Sequence, residues 1–148
     1  MTVSQVSYTM DSTLETVNNA EALATRIATE AGFEEGEVMQ ISLAVREAVI
    51  NAVMHGNGHD PAKKVTFGFE RTGEGLVISV RDEGPGMDPA TLPDPLAPEN
   101  LMRTSGRGIF LIRTMMDDVQ IRTLHPGTEI KLMKRVPSPA GGTKEATQ

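Results

Sequence analysis

Glu47-Ala48-Val49-Ile50-Asn51-Ala52-Val53-Met54-His55-Gly56-Asn57 sets a carboxylate and a carboxamide four residues apart in an otherwise apolar run. At about 100° per residue the two side chains share one face of a helix. Apolar neighbours on both sides predict that this face is covered, and a covered carboxylate needs a partner. A bound ligand is one such partner: an Asn oxygen suits a hard cation such as Mg²⁺, and a Glu can take a proton or orient a nucleophile. A polar seam bonded to protein, or a groove for a partner helix, would place the same two residues in the same way.

A second element follows. Leu76-Val77-Ile78-Ser79-Val80-Arg81 alternates as a half-buried strand does, and Asp82-Glu83-Gly84-Pro85-Gly86 begins where it ends. Asp82 is thus expected at a strand end. Gly84 and Gly86 let the backbone bend and approach a flat ligand, and an ionised Asp can accept a hydrogen bond from the exocyclic amine of adenine. An ordinary Gly-Pro turn would look similar. The third element is Thr104-Ser105-Gly106-Arg107-Gly108-Ile109-Phe110-Leu111-Ile112, a glycine pair opening an amphipathic helix that runs to about Asp117. The exposed N–H groups of a helix start favour phosphate, and Arg107 adds a charged donor. A lone G-x-G is weak; the order of the three elements is what carries weight.

In that order the chain resembles the GHKL ATPases, the superfamily of gyrase, histidine kinases, the heat-shock chaperone ATPase and MutL. Within it, Glu47–Gly56 and Pro98–Asp117 look most like the stand-alone bacterial anti-sigma-factor serine/threonine kinases of partner-switching systems. The resemblance covers about Met10 to Val136. It implies Glu47 as catalytic base, Asn51 as Mg²⁺ ligand and Asp82 as adenine anchor. It also implies Gly84 and Gly86 as hinges of the nucleotide pocket, Thr104, Ser105, Gly106, Arg107 and Gly108 as nucleotide and phosphate contacts, and Thr128 as a threonine near the adenine. ATP and Mg²⁺ are then the expected cofactors. A sigma factor, an antagonist protein carrying the phosphorylated hydroxyl, or both, are the expected partners, and a homodimer is left open. The implied fold is α/β of the α+β kind, the Bergerat ATP-binding fold: three helices laid as a layer across a mixed, mainly antiparallel sheet. Two other functions remain in view. One is the ATP-binding half of a histidine kinase, which would need a hairpin bearing a phospho-accepting histidine that this chain has no room for. The other is an ATP-binding module that works by sequestration alone, against which Glu47 argues.

Bulk properties set limits. With 148 residues, the chain suits one domain with a substantial core. Twenty acidic against 14 basic residues, a formal net charge of −6, provide no footprint for a phosphate backbone, so nucleic acid is not an expected partner. No apolar run approaches the roughly 20 residues that cross a bilayer, and no leader pattern opens the chain, which predicts a cytoplasmic protein. The absence of cysteine excludes disulfides and thiolate metal sites. No G-x-x-x-x-G-K-[ST] occurs, so a nucleotide site here is not a P-loop.

Elsewhere, Val3–Met10 is expected as a first strand. Asp11 or Ser12 then caps a helix striped by Leu14, Val17, Ala20, Ala24, Ile27 and Ala31 and stopped at Gly32. The next helix buries Val38, Ile41, Val45, Ala48 and Ala52 and stops around Gly56-Asn57-Gly58. Strands are expected over Lys64–Glu70 and Leu76–Asp82, and again over Asp118–Thr123 and Thr128–Val136. Pro89 to Ser105 reads as a long loop suited to a lid. The domain is expected to span 1–136, with 137–148 a disordered tail. His55 and His59 lack a third ligand for zinc, and Met115 and Met116 are expected to fill core space.

Overall fold

Strand alternation places Val65, Phe67 and Phe69 on one side of Lys64–Arg71, and that apolar face is what the helices must cover. The computed structural model describes residues 4–58, 60, 62–85 and 107–136. In chain order these form β1 (Ser4–Asp11), α1 (Leu14–Glu30), α2 (Glu35–Ile50), a π-helical turn (Asn51–Gly56), β2 (Lys64–Arg71), β3 (Gly75–Arg81), α3 (Arg107–Met115), β4 (Asp118–Thr123) and β5 (Thr128–Arg135). The strands lie in the order β1-β2-β3-β5-β4. The two-layer α+β architecture expected from the sequence is the one formed. Its sheet is antiparallel at all four pairings among the described residues, rather than mixed.

The core lies between the layers. Phe67, Ile78 and Leu132 of the sheet meet Val17 of α1, Ile41, Val45 and Val49 of α2, and Ile112 of α3, all essentially inaccessible. Tyr8 stacks on Phe67, and Phe67 meets Phe69 edge to face, which adds geometric preference to their burial. Ala20, Ala24 and Ala28 on α1 and Ala44 and Ala48 on α2 are fully buried; side chains this short let two packed helices approach closely. Met115 and Met116 fill core space as expected. The opposite face of the sheet is polar, with Arg81 and Arg122 flanking a buried Glu129.

Three details depart from the sequence reading. α1 is capped by Thr13, whose hydroxyl accepts from the Thr16 N–H at 3.2 Å, and not by Asp11 or Ser12. Asp11 ends β1 and pairs with Lys64, while Ser12 is buried and donates to the Lys63 carbonyl at 2.7 Å. Leu14 heads the apolar stripe of α1 yet is 66% exposed; burial along the stripe begins at Val17. The second helix is α-helical only to Ile50. From Asn51 it widens into a π turn, in which the Asn57 N–H donates to the Ala52 carbonyl five residues back at 2.8 Å. The expected lid at Pro89–Ser105, the tail at 137–148 and His59 lie outside the described residues.

Candidate functional site

Asp82 leaves the end of β3 where β5 begins. Its N–H donates to the Thr128 carbonyl at 3.0 Å, and its Oδ1 accepts from the N–H groups of Gly84 at 2.9 Å and Thr128 at 3.1 Å. Its Oδ2 accepts no hydrogen bond from the described residues. The side chain is buried, and desolvation pushes its pKa up; the Gly84 and Thr128 N–H groups and the Lys63 charge pull the other way. A carboxylate with one oxygen fixed and the other unused is an acceptor set for an external donor.

Glycines make this arrangement sterically allowed. A Cβ on Gly56 would overlap the Asp82 carboxylate, and a Cβ on Gly84 would overlap the Gly56 carbonyl. Gly84 was expected to admit a ligand; what its missing side chain admits in this structure is the backbone of the π turn. Gly127, at φ +103°, lies as close against the Asp82 carbonyl. The π turn, the β3 end and the β4–β5 connection therefore converge on one acid.

Glu47 and Asn51 lie one turn apart, as their spacing predicts, but their surroundings differ. Asn51 is buried, and its side-chain Nδ2 has no hydrogen-bond partner. The two ends of a carboxamide are nearly isosteric, so a half-turn about χ2 presents the oxygen at the same place. Glu47 is only half-buried, so the expected covering of this face is partial: Leu43, one turn earlier, and Met54, beyond it, are exposed. What approaches Glu47 is the start of α3, where a Cβ on Gly108 would sit 3.3 Å from Glu47 Oε1.

Two groups thus form, Asp82 with Gly84 and Thr128, and Glu47 with Asn51 and Gly108. The π turn joins them, beginning at Asn51 and reaching Asp82 with Gly56. Gly86, Thr104, Ser105 and Gly106 lie outside the described residues, as does the Arg107 side chain. Among the described residues no cluster of His, Cys, Asp or Glu could by itself hold a metal ion. Sequence reasoning missed Gly56 and Gly127 as neighbours of the acid, along with Asn57, which is buried and bonded to three segments. The signal was present in Gly56-Asn57-Gly58, where a side chain with both donors and an acceptor interrupts two glycines at a helix end.

Known proteins bear on this geometry. The family model described as "Histidine kinase-like ATPase domain" matches residues 10–134. Serine-protein kinase RsbW of Listeria innocua is 32% identical over 101 residues, 64% of this chain and 64% of its own. The chain therefore spans just under two thirds of that relative's length. Anti-sigma F factor of Anoxybacillus flavithermus is 31% identical over 105 residues, 68% of this chain and 70% of its own. Among solved structures, the RsbU and RsbW domains of Rv1364c from Mycobacterium tuberculosis superimpose with a TM-score of 0.68 at 21% identity, covering 93% of this chain and 34% of that one. At that identity the likeness concerns the fold.

Proposed function

The chain belongs to the histidine kinase-like ATPase domain family, and from that premise we propose that it is a Mg-ATP-dependent protein serine/threonine kinase acting in sigma-factor control. The observation that carries the proposal is Asn51, a buried carboxamide with an unpartnered end, one turn from a half-buried acid. Mg²⁺ is a hard cation that takes oxygen ligands, keeps several waters and is held at nucleotide sites by few protein groups together with substrate phosphates. A single amide oxygen at Asn51, with no metal-binding cluster among the described residues, fits that habit. When bound, the ion would neutralise phosphate charge. The unused Asp82 Oδ2 would accept the adenine amine, with Thr128 beside it. The N–H groups at the start of α3 would face phosphate oxygens, since Gly108 brings that helix end to Glu47. Glu47 would take the proton of an incoming Ser or Thr hydroxyl as its oxygen bonds the γ-phosphorus and ADP leaves.

The relatives' names point to the partners: Serine-protein kinase RsbW and Anti-sigma F factor. By that likeness the hydroxyl belongs to a small antagonist protein and the alternative partner is a sigma factor. Native partners co-purified with and without Mg-ATP, followed by mass spectrometry, test this. Phosphoserine or phosphothreonine should appear on a co-purified protein only with nucleotide. Glu47→Gln should still bind ATP while transfer falls by roughly 10²–10⁴-fold. Partner capture without any phosphorylation would replace the kinase with a sequestering module, and transfer at the parent rate by Glu47→Gln would place the base elsewhere.

A further inference from the structure

Asn57 hydrogen-bonds none of the groups assigned to nucleotide among the described residues, yet it is 3% exposed and every polar atom of its side chain is engaged. Its Nδ2 donates to Ser12 Oγ at 2.6 Å and to the Lys64 carbonyl at 3.0 Å, while its Oδ1 accepts from the Glu83 N–H at 2.8 Å. Glu83 returns the connection, its carboxylate accepting from the Lys64 N–H at 2.6 Å. One amide thus ties together the turn after β1, the start of β2 and the residue that follows Asp82. Only a carboxamide offers two donors and an acceptor in one plane at this size; Asp lacks the donors, and Ser lacks the reach. The π turn delivers it, since the Asn57 N–H closes that turn on the Ala52 carbonyl.

Glu83 is the point of this network that bears on function. Asp82 is held from behind by Thr128 through one backbone hydrogen bond and one from the Thr128 N–H to the Asp82 carboxylate, and that carboxylate lies against Gly56. Its chain-forward side is held through Glu83, and the amide of Glu83 is bonded to Asn57. We propose that Asn57 is a positioning residue for base recognition, fixing the backbone beyond Asp82 so that Oδ2 stays aimed at the 6-amino group of adenine. This rests on the ATP-site assignment above and adds to it the residue that sets its selectivity.

A buried amide also stabilises a fold in general, so the test must read something that general stability does not move. Affinities for Mg-ATP and for the Mg complex of purine riboside triphosphate, which lacks only the 6-amino group, are measured side by side. The parent should favour ATP by about tenfold or more, the scale of a hydrogen bond to a charged group. Asn57→Ala should bring that ratio to within about twofold of unity, whereas a purely structural role would weaken both ligands alike and keep the ratio. Asn57→Asp retains an oxygen for the Glu83 N–H while losing both donors; it should unfold at a lower temperature yet keep most of the ratio. If Asn57→Ala does not fold, Asn57→Ser, whose hydroxyl lacks the reach to the Glu83 N–H, takes its place: loss of the ratio supports positioning through Glu83, and a folded variant that keeps it overturns the inference. A parent that binds both ligands equally would remove the adenine assignment and this inference with it. A discriminating parent and an equally discriminating, folded Asn57→Ala would overturn the inference alone.

Discussion

Burial holds the Asp82 carboxyl above its ordinary value of 3.8, because desolvation outweighs the opposing Gly84 and Thr128 N–H groups and the Lys63 charge. The folded state therefore binds this proton more tightly than the unfolded chain. The group's contribution to stability is complete below pH 3.8 and is lost as pH rises through the raised folded value. At neutral pH the ionised acid is a local cost that a ligand donor can offset. Asp82→Asn keeps an oxygen for both N–H groups without the charge. It should melt at a higher temperature than the parent at pH 7, with the gap closing as pH falls toward 3.8, while binding ATP more weakly. Thermal unfolding across pH checks the sign; a variant less stable than the parent at pH 7 would mean that the charge is fully compensated within the protein. Residue by residue, what could be read from sequence was what lies close in sequence. Glu47 and Asn51 share a helical face by spacing alone. Gly56-Asn57-Gly58 marked Asn57 as unusual, but its side-chain partners Ser12, Lys64 and Glu83 stand 45, 7 and 26 positions away, and nothing local marks them.

At the scale of elements, period-2 alternation identified β3, since one face of the strand is more deeply buried than the other, and the same alternation of burial runs along β2. The π turn had no such signature: six residues are too few to separate its period from that of the α-helix it continues. Nor does sequence say which neighbour a glycine makes room for. Gly84 and Gly108 both read as contacts for ligand, yet one lies against backbone and the other against the end of a flexible side chain. That difference separates two substitutions. Gly84→Ala sets a Cβ into the Gly56 carbonyl, which no rotamer change relieves, and should cost about 1–3 kcal/mol by denaturant unfolding. Gly108→Ala meets only Glu47 Oε1 and gains helix propensity of about 0.5–1 kcal/mol, so its stability should stay near the parent's. Phosphate transfer should nevertheless fall, because Glu47 must shift. Equal stability losses in the two variants would show that backbone and side-chain overlaps are relieved alike.

Across the whole molecule, the family resemblance that three short motifs carry by their order implied a layer of helices on a largely antiparallel sheet, and that is the chain's architecture. Each of the three motifs sits at an element end: a helix terminus, a strand terminus and a helix start. What order could not supply is how those ends meet. The Asn51–Gly56 turn brings α2 to the end of β3, so that the polar groups assigned to metal and to base belong to one continuous wall. Calorimetric titration tests that wall most directly, with Mg-ATP and Mg-GTP run against the parent and against Asp82→Ala. The parent should bind ATP, prefer it to GTP, and need Mg²⁺ for full affinity, and Asp82→Ala should lose about tenfold or more, the loss of a hydrogen bond worth about 1.5–3 kcal/mol. Unchanged ATP affinity in Asp82→Ala, or equal affinity of the parent for GTP, would contradict it.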